Sequence, residues 1–417
     1  MLQALLIEIG VEELPAVPLL KELDNIEKKW AKVLEERSLL CEFEFYYTPR
    51  RLVLWHREFR VAQEDTVEEF FGAPVAMAYD ELGKPSKACE GFARKCGVSV
   101  DELSRSEKGG KEVLYYKKDV KGQESKTLIE EMVREFMKSL NFGKSMRWGS
   151  LEESFIRPVR WLNVMMNDEL IDIELFGVKS AKQTYVHRMS SFEAHKTAGI
   201  KEYFDVLTNG AVTLYPDERR QSIIDGFDAI EKKSGLLIER DADLLDEVVA
   251  ITESPTPLLG NFDEAFLRLP PEVIISSMKE HQRYFPVFKD GKLTNKFIVV
   301  SNALSDDFTK VIEGNEKVLR PRLADGLFFY DNDLNRGLVN DGLEKVTFMN
   351  GLGSLIDKIE REKKIAGKLA LAYDVDLKKV ERAVELSKAD LMSETVFEFT
   401  DLQGLMGCYY AQAQNED

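Results

Sequence analysis

The densest concentration of chemistry-bearing side chains is the run Met278-Lys-Glu-His-Gln-Arg-Tyr-Phe-Pro286. Lys279, His281, Gln282 and Arg283 offer charge and hydrogen-bond donors, while Tyr284 and Phe285 offer stacking faces. Such a mixture suits phosphate and base contacts. The same run also reads as a helix end packed on a strand, with both aromatics in a core, and the residues alone leave the two readings open. A second basic cluster, Lys144, Arg147, Arg157 and Arg160, flanks Trp148 and Trp161. Guanidiniums beside indoles stack on bases or hold phosphate. Alternatively, Trp161 is core and Glu152 and Glu153 pair with the arginines. Lys317, Arg320 and Arg322 surround Pro321, ahead of Phe328-Phe-Tyr330, and form a third candidate contact for phosphate or for another subunit.

Complete catalytic patterns are missing from the sequence. Leu82-Gly-Lys-Pro-Ser86 lacks the first glycine of a phosphate loop, and its Pro85 removes an amide that would cradle phosphate. Gly351-Leu-Gly-Ser354 is shorter still, and no serine occupies a nucleophile elbow. The four histidines are His56, His187, His195 and His281, and no two are three or four residues apart, which rules out a helical metal pair. His56 and His195 read as structural. His187, adjoined by Arg188, has the better claim to function, beside His281.

The scaffold for these groups is large. At 417 residues, two to four domains are expected. The apolar fraction of 44% and charged fraction of 31% are ordinary for a soluble globular protein. A net charge of -17 opposes non-specific adhesion to nucleic acid, so any RNA contact must come from local basic patches. Cys41, Cys89, Cys96 and Cys408 lack zinc-site spacing and read as reduced thiols of a cytoplasmic protein. No apolar run is long enough to span a membrane. The opening Met1-Leu-Gln-Ala-Leu-Leu-Ile-Glu places Glu8 within an apolar stretch and has no basic lead, unlike a secretory signal.

Periodicity predicts strand, helix, strand, strand over the first 60 residues. Leu5 to Ile9 is a short apolar strand; Leu19, Leu20, Leu23, Ile26, Trp30, Val33 and Leu34 recur at helical spacing; Thr48-Pro-Arg-Arg51 turns the chain into a strand from Leu52 to Trp55. Thr127-Leu-Ile-Glu130 fits a capping box for a helix that Gly143 closes. Asp217-Glu-Arg-Arg220 and Pro270-Pro-Glu272 open two further helices, and Asp290-Gly291 marks a hairpin turn. From about residue 340 strand signals vanish, and Leu355, Ile359, Ile365, Leu369 and Leu371 run helically. The expected class is α+β and multidomain: an α+β unit over 1–65, a mixed segment over 66–148, an α/β domain over 149–330 and an all-α unit over 331–417. The last ends soon after the apolar run Leu405 to Tyr410, as though cut between domains.

Several of these segments together resemble the beta subunit of bacterial two-subunit glycyl-tRNA synthetase. The resemblance is carried by Glu8-Ile-Gly-Val-Glu-Glu-Leu-Pro15, Thr48-Pro-Arg-Arg-Leu52, Met146-Arg-Trp-Gly149, Phe155-Ile-Arg-Pro-Val-Arg-Trp161, His187-Arg188, Glu253-Ser-Pro255, Phe266-Leu-Arg-Leu-Pro-Pro-Glu-Val273, Met278 to Pro286, Leu319-Arg-Pro-Arg-Leu-Ala-Asp325 and Phe397-Glu-Phe-Thr-Asp-Leu-Gln-Gly404. It implies a chain that binds tRNA(Gly) and a catalytic alpha subunit, with ATP, Mg and glycine handled by that partner and no cofactor, DNA or membrane contact of its own. It also implies an editing-type synthetase domain within 149–330 and an HD-like helical domain at the end, where Ser387-Lys388 stands in place of a His-Asp pair. The tRNA-contact candidates are then Arg50, Arg51, Lys144, Arg147, Arg157, Arg160, His187, Arg188, Lys279, His281, Gln282, Arg283, Arg320 and Arg322. An independent hydrolase, either HD-type or an aminoacyl-tRNA deacylase, and a pure scaffold for the alpha subunit are the competing expectations.

Overall fold

A computed structural model describes residues 1–80 and 83–416. Leu82, at the head of the Leu82–Ser86 loop, lies outside the described residues, as do Glu81 and Asp417. The fold mixes α and β elements in two compact units: residues 1–186 with 193–209, and residues 187–192 with 210–417.

The first unit begins with β1 (Leu2–Val11), α1 (Ala16–Glu36), β2 (Glu44–Thr48) and β3 (Arg51–Arg60), in the order that periodicity predicts. A second, three-stranded sheet follows from β4 (Thr66–Pro74), β5 (Ser104–Lys108) and β6 (Lys111–Val120), with α2 (Lys87–Cys96) packed on it through Cys89 and Phe92. Then come α3 (Ser125–Ser139), β7 (Val159–Met166) and β8 (Glu169–Leu170). The main sheet has the order β2-β3-β1-β7-β8, so a strand from beyond residue 149 pairs antiparallel with the first strand of the chain. Side chains alternate across β1. Leu5 and its partner His56 share one face, which α1 and α3 cover through Trp30 and Phe136 at 5.4 Å. Glu8 and Gly10 point to the other face, toward β9 (Gln183–Tyr185), β10 (Ala194–Lys196) and α4 (Ile200–Asn209).

The second unit contains α5 (Pro216–Ser234), β11 (Leu237–Ile238), α6 (Ala242–Ile251), β12 (Thr256–Asn261), α7 (Pro271–Gln282), β13 (Phe285–Lys289) and β14 (Lys292–Ser301). Its sheet order is β11-β13-β14-β12. Asp290 at φ 51° and Gly291 at φ 75° make the tight left-handed turn between β13 and β14, which an Asp-Gly pair accommodates. After α8 (Thr309–Arg336) the chain is mainly helical, with α9 (Leu355–Ala372), α10 (Leu377–Leu386) and α11 (Leu405–Ala413).

Three local expectations are corrected. Thr127 does not cap α3: the helix starts at Ser125, two residues earlier, and the Thr127 hydroxyl donates to Glu124 O at 2.7 Å inside the first turn. The early start is held by the buried Ser125, whose hydroxyl donates to Arg60 O at 2.6 Å, a tertiary contact that a local motif does not report. Nor does Gly143 close this helix, since Leu140 is the C-cap in extended conformation. Finally, strands do not vanish after residue 340. A small hairpin, β15 (Thr347–Met349) with β16 (Gly353–Ser354), precedes α9; of the Gly351-Leu-Gly-Ser354 segment, Gly351 and Leu352 lie in its turn and Gly353 and Ser354 form β16. Two glycines at φ 82° and 83° supply the left-handed backbone there, and Ser354 then caps α9 with Asp357.

Candidate functional site

The first unit is organised around a buried ion pair. Arg51 Nη1 donates to Glu8 Oε1 at 2.9 Å, and both side chains are fully excluded from solvent. The remaining guanidinium donors go to Thr184 Oγ1 at 3.2 Å, Tyr185 O at 2.8 Å and Thr48 Oγ1 at 3.3 Å. The Thr184 hydroxyl donates in turn to Glu8 Oε1 at 2.8 Å. Burial pushes the Glu8 carboxyl above its ordinary value, while Arg51 and then the Thr184 hydroxyl pull it back. The Trp161 indole N–H and the Tyr203 hydroxyl face the same carboxylate without completing hydrogen bonds to it.

Register explains the assembly. Gly10 of β1 lies directly opposite Arg51 of β3 on one side and Trp161 of β7 on the other. Directly opposed residues share a face, so the Trp161 ring lies across Gly10, with the Arg50 and Arg51 guanidinium carbons 5.6 and 5.5 Å from its centroid. A Cβ on Gly10 would stand 1.8 Å from the Trp161 ring. Gly10→Ala is therefore expected to destabilise the unit by at least ~2 kcal/mol, as overpacking of a filled core does. A melting temperature within a degree of the unmodified chain would refute this close approach.

The predicted RNA-contact residues fall into distinct settings. Arg51 has no solvent exposure and belongs to the core. Arg50 Nη1 donates to Val186 O at 3.0 Å beside it. Trp161 is core as well, at 3% exposure, so the sequence neighbours Arg157 and Arg160 do not share its environment. Arg157 Nε donates to Glu13 O at 3.1 Å, and Arg160 pairs with Glu12 at 3.2 Å. Glu153, read as a partner for these arginines, instead binds Arg134 at 2.6 Å. Lys144 and Arg147 are exposed, and Trp148 stacks on Phe176 at 5.5 Å.

In the second unit His187 is buried; its Nδ1 accepts from Met189 N at 3.2 Å, and its Nε2 has no hydrogen-bond partner. Arg188 is half-buried. The run from Met278 follows the helix-end geometry. Arg283 takes the left-handed C-cap of α7 at φ 56°, and Tyr284 and Phe285 enter the core. Tyr284 stacks on Phe297 at 4.7 Å and donates its hydroxyl hydrogen to Asn315 Oδ1 at 2.7 Å; burial pushes this phenol up to about 12. Lys279 bridges Glu239 at 2.6 Å and Asp241 at 2.9 Å. Burial works against its charge, but these two carboxylates outweigh that and raise its pKa. Arg283 pairs with Glu247 at 2.9 Å. His281 is exposed with its ring 6.2 Å from that of Phe399, and Gln282 is half-buried. Arg320 is exposed on α8, whereas Arg322 reaches Glu398 at 3.6 Å.

Sequence reasoning missed Glu8 as the partner that Arg51 needs. The signal was present, because a lone carboxylate inside an apolar strand requires a compensating cation. It also missed Arg219, whose buried guanidinium donates to the backbone carbonyls of Val249, Thr213 and Leu214 and ties α5 to α6 and to the segment that precedes α5. Among the described residues no group of three or more His, Cys, Asp or Glu side chains is placed to hold a metal, and no helix is long and apolar enough to cross a membrane.

Comparison with known proteins adds to this geometry. A family described as glycyl-tRNA synthetase beta subunit matches residues 5–417. The glycine–tRNA ligase beta subunit of Helicobacter pylori (strain HPAG1) is 45% identical over 99% of this chain and 62% of its own length. Its namesakes from Moorella thermoacetica and Shewanella woodyi are 38% and 39% identical, over 61% and 60% of their lengths. The chain thus spans about three-fifths of the length of the curated relatives it matches.

Proposed function

We propose, on the premise that this chain belongs to the glycyl-tRNA synthetase beta subunit family, that it binds tRNA(Gly) and a catalytic alpha subunit, and that it orients the tRNA for glycylation. The observation that carries this reading is the family match, which extends from residue 5 to residue 417. The chemistry, with ATP, Mg and glycine, is assigned to the alpha subunit, and this chain contributes position: holding a reactant in a productive geometry lowers the barrier through orientation. The same reading makes residues 149–330 an editing-type synthetase domain and residues 331–417 an HD-like helical domain, in a cytoplasmic assembly.

The distribution of charge supports a surface role for particular residues rather than for the molecule as a whole. With a net charge of -17, overall attraction to phosphate is excluded. Lys144, Arg147 and Arg320 are exposed, and no ion pair to a carboxylate is formed by them among the described residues. Arg51 and Lys279 are occupied inside the fold.

Filter binding of tRNA(Gly) across 50–200 mM salt, roughly the range over which counterion release is resolved, tests the reading. Affinity should fall steeply with salt, and Arg147→Ala and Arg320→Ala should each reduce the log–log slope by about one. Lys279→Ala should leave the slope unchanged, because that cation is already neutralised by two carboxylates. Glycylation should require added alpha subunit. Absence of tRNA binding, or charging of tRNA by this chain alone, would overturn the proposal.

A further inference from the structure

A cavity of about 530 Å³ opens in the first unit between α3 and the segment from Asn141 to Ile156. That volume falls within the ~300–1,000 Å³ typical of small-ligand sites. We propose that it receives one unpaired nucleotide of a bound RNA, an inference that rests on the tRNA-binding reading and assigns it a site.

The floor is aromatic. Phe142 and Phe155 meet edge to face at 5.5 Å, Phe176 lies 6.0 Å from Phe155, and Trp148 stacks on Phe176. All three phenylalanines line the cavity and are otherwise buried, so the floor is rigid and apolar. The rim is basic. Lys138 and Lys144 line it, both are exposed, and neither forms an ion pair among the described residues. Arg134, the third cation, is held by Glu153 at 2.6 Å and Glu130 at 3.1 Å and serves as a fixed wall. A recess lined by aromatic side chains beside unpaired cations resembles the way proteins hold single-stranded nucleic acid, with the base in the recess and the phosphate near the cations.

The concavity selects against a duplex. A paired base has its faces covered by its neighbours and cannot enter a pocket without being unstacked, whereas a loop or terminal nucleotide is already free. Glu152 lines the same cavity and is exposed, with no ion partner among the described residues. As an acceptor-only group it can take an N–H of the entering base, from an exocyclic amine or from a ring N–H.

The test uses the full chain with tRNA(Gly). Ser154, exposed and lining the cavity, is replaced by tryptophan to fill it; separately, Lys138 and Lys144 are both replaced by alanine. Each variant should keep the thermal melt of the unmodified chain and lose ~10-fold or more in tRNA affinity, the scale of one stacked base. A photo-crosslinking benzoylphenylalanine at Ser145 should mark a single unpaired nucleotide, read out by primer extension. If the unmodified chain binds tRNA but Ser154→Trp binds as tightly, or the crosslink falls in a stem, the pocket assignment fails while the tRNA-binding reading survives. If the unmodified chain binds no tRNA, both fail.

Discussion

Replacing Arg51 with alanine is expected to cost the first unit roughly 3–5 kcal/mol, the range measured when one partner of a buried ion pair is removed. The effect is large because of what remains. Glu8 would be left fully buried with Thr184 as its one remaining hydrogen-bond donor, and an uncompensated carboxylate in an apolar interior is far more expensive than the pair was worth. Arg51 also ties Tyr185 O and Thr184 to the start of β3, so β9 would lose these two ties to that strand. The double variant Glu8→Met with Arg51→Met should recover much of the loss, since a buried pair exchanged for apolar side chains is often neutral or better. Thermal melts of the three proteins, with hydrogen exchange of β1 and β3 amides, decide the matter. An Arg51→Ala protein that melts with the unmodified one would show that the pair carries no such weight.

The second large effect is on pH dependence. His56 has no solvent exposure; its Nε2 accepts from Trp30 Nε1 at 2.9 Å, and its Nδ1 lies 3.3 Å from Cys41 Sγ. An acceptor at Nε2 requires the neutral ring, because protonation would set two N–H groups against each other. Burial lowers the pKa from the ordinary 6.5 to about 4, with the backbone contact at Glu42 opposing weakly. The neighbouring Cys41 offers no counter-charge: burial holds its thiol at about 11, so it stays neutral.

The folded pKa lies below the unfolded one, so the unfolded chain binds the proton more readily between them. The stability contributed by the neutral ring is therefore complete above pH 6.5 and lost progressively as the pH falls toward 4. At about 1.4 kcal/mol per pH unit the window totals ~3 kcal/mol. His56→Gln keeps an acceptor for Trp30 but cannot titrate. Its stability should decline distinctly less than that of the unmodified chain over this range in urea titrations at stepped pH. Carboxylates with lowered pKa, such as Glu102 and Glu169, lose stability at acid pH in both proteins and cancel in the comparison. Parallel curves for the two proteins would refute the role of His56.

Much of the architecture was legible because it is written in short-range periodicity. The strand at Leu5–Ile9, the helix carrying Leu19, Ile26 and Trp30, the helix from Pro216 to the left-handed Gly235 and the Asp290-Gly291 hairpin all follow from spacing and turn chemistry within about twenty residues. Where reading failed, as at Thr127, a distant group had intervened: Ser125 is fixed by Arg60 O, 65 positions away. Such contacts leave no local trace.

The candidate site shows the same division more sharply. Residue types and their spacing were enough to single out the basic clusters, and the motif set was enough to reach the family. Which cations are free was decided by tertiary structure alone. Arg51 and Arg147 look equivalent in sequence, each beside another Arg or a Trp. One lies in the core against Glu8 and Thr184, 43 and 133 positions distant, and the other faces solvent. A charge's availability depends on which opposite charges the fold brings within a few ångströms and on how much water it removes, and both are properties of long-range packing. By itself the sequence determined most of the elements and the family; the three-dimensional arrangement determined which side chains hold the protein together and which remain to hold something else.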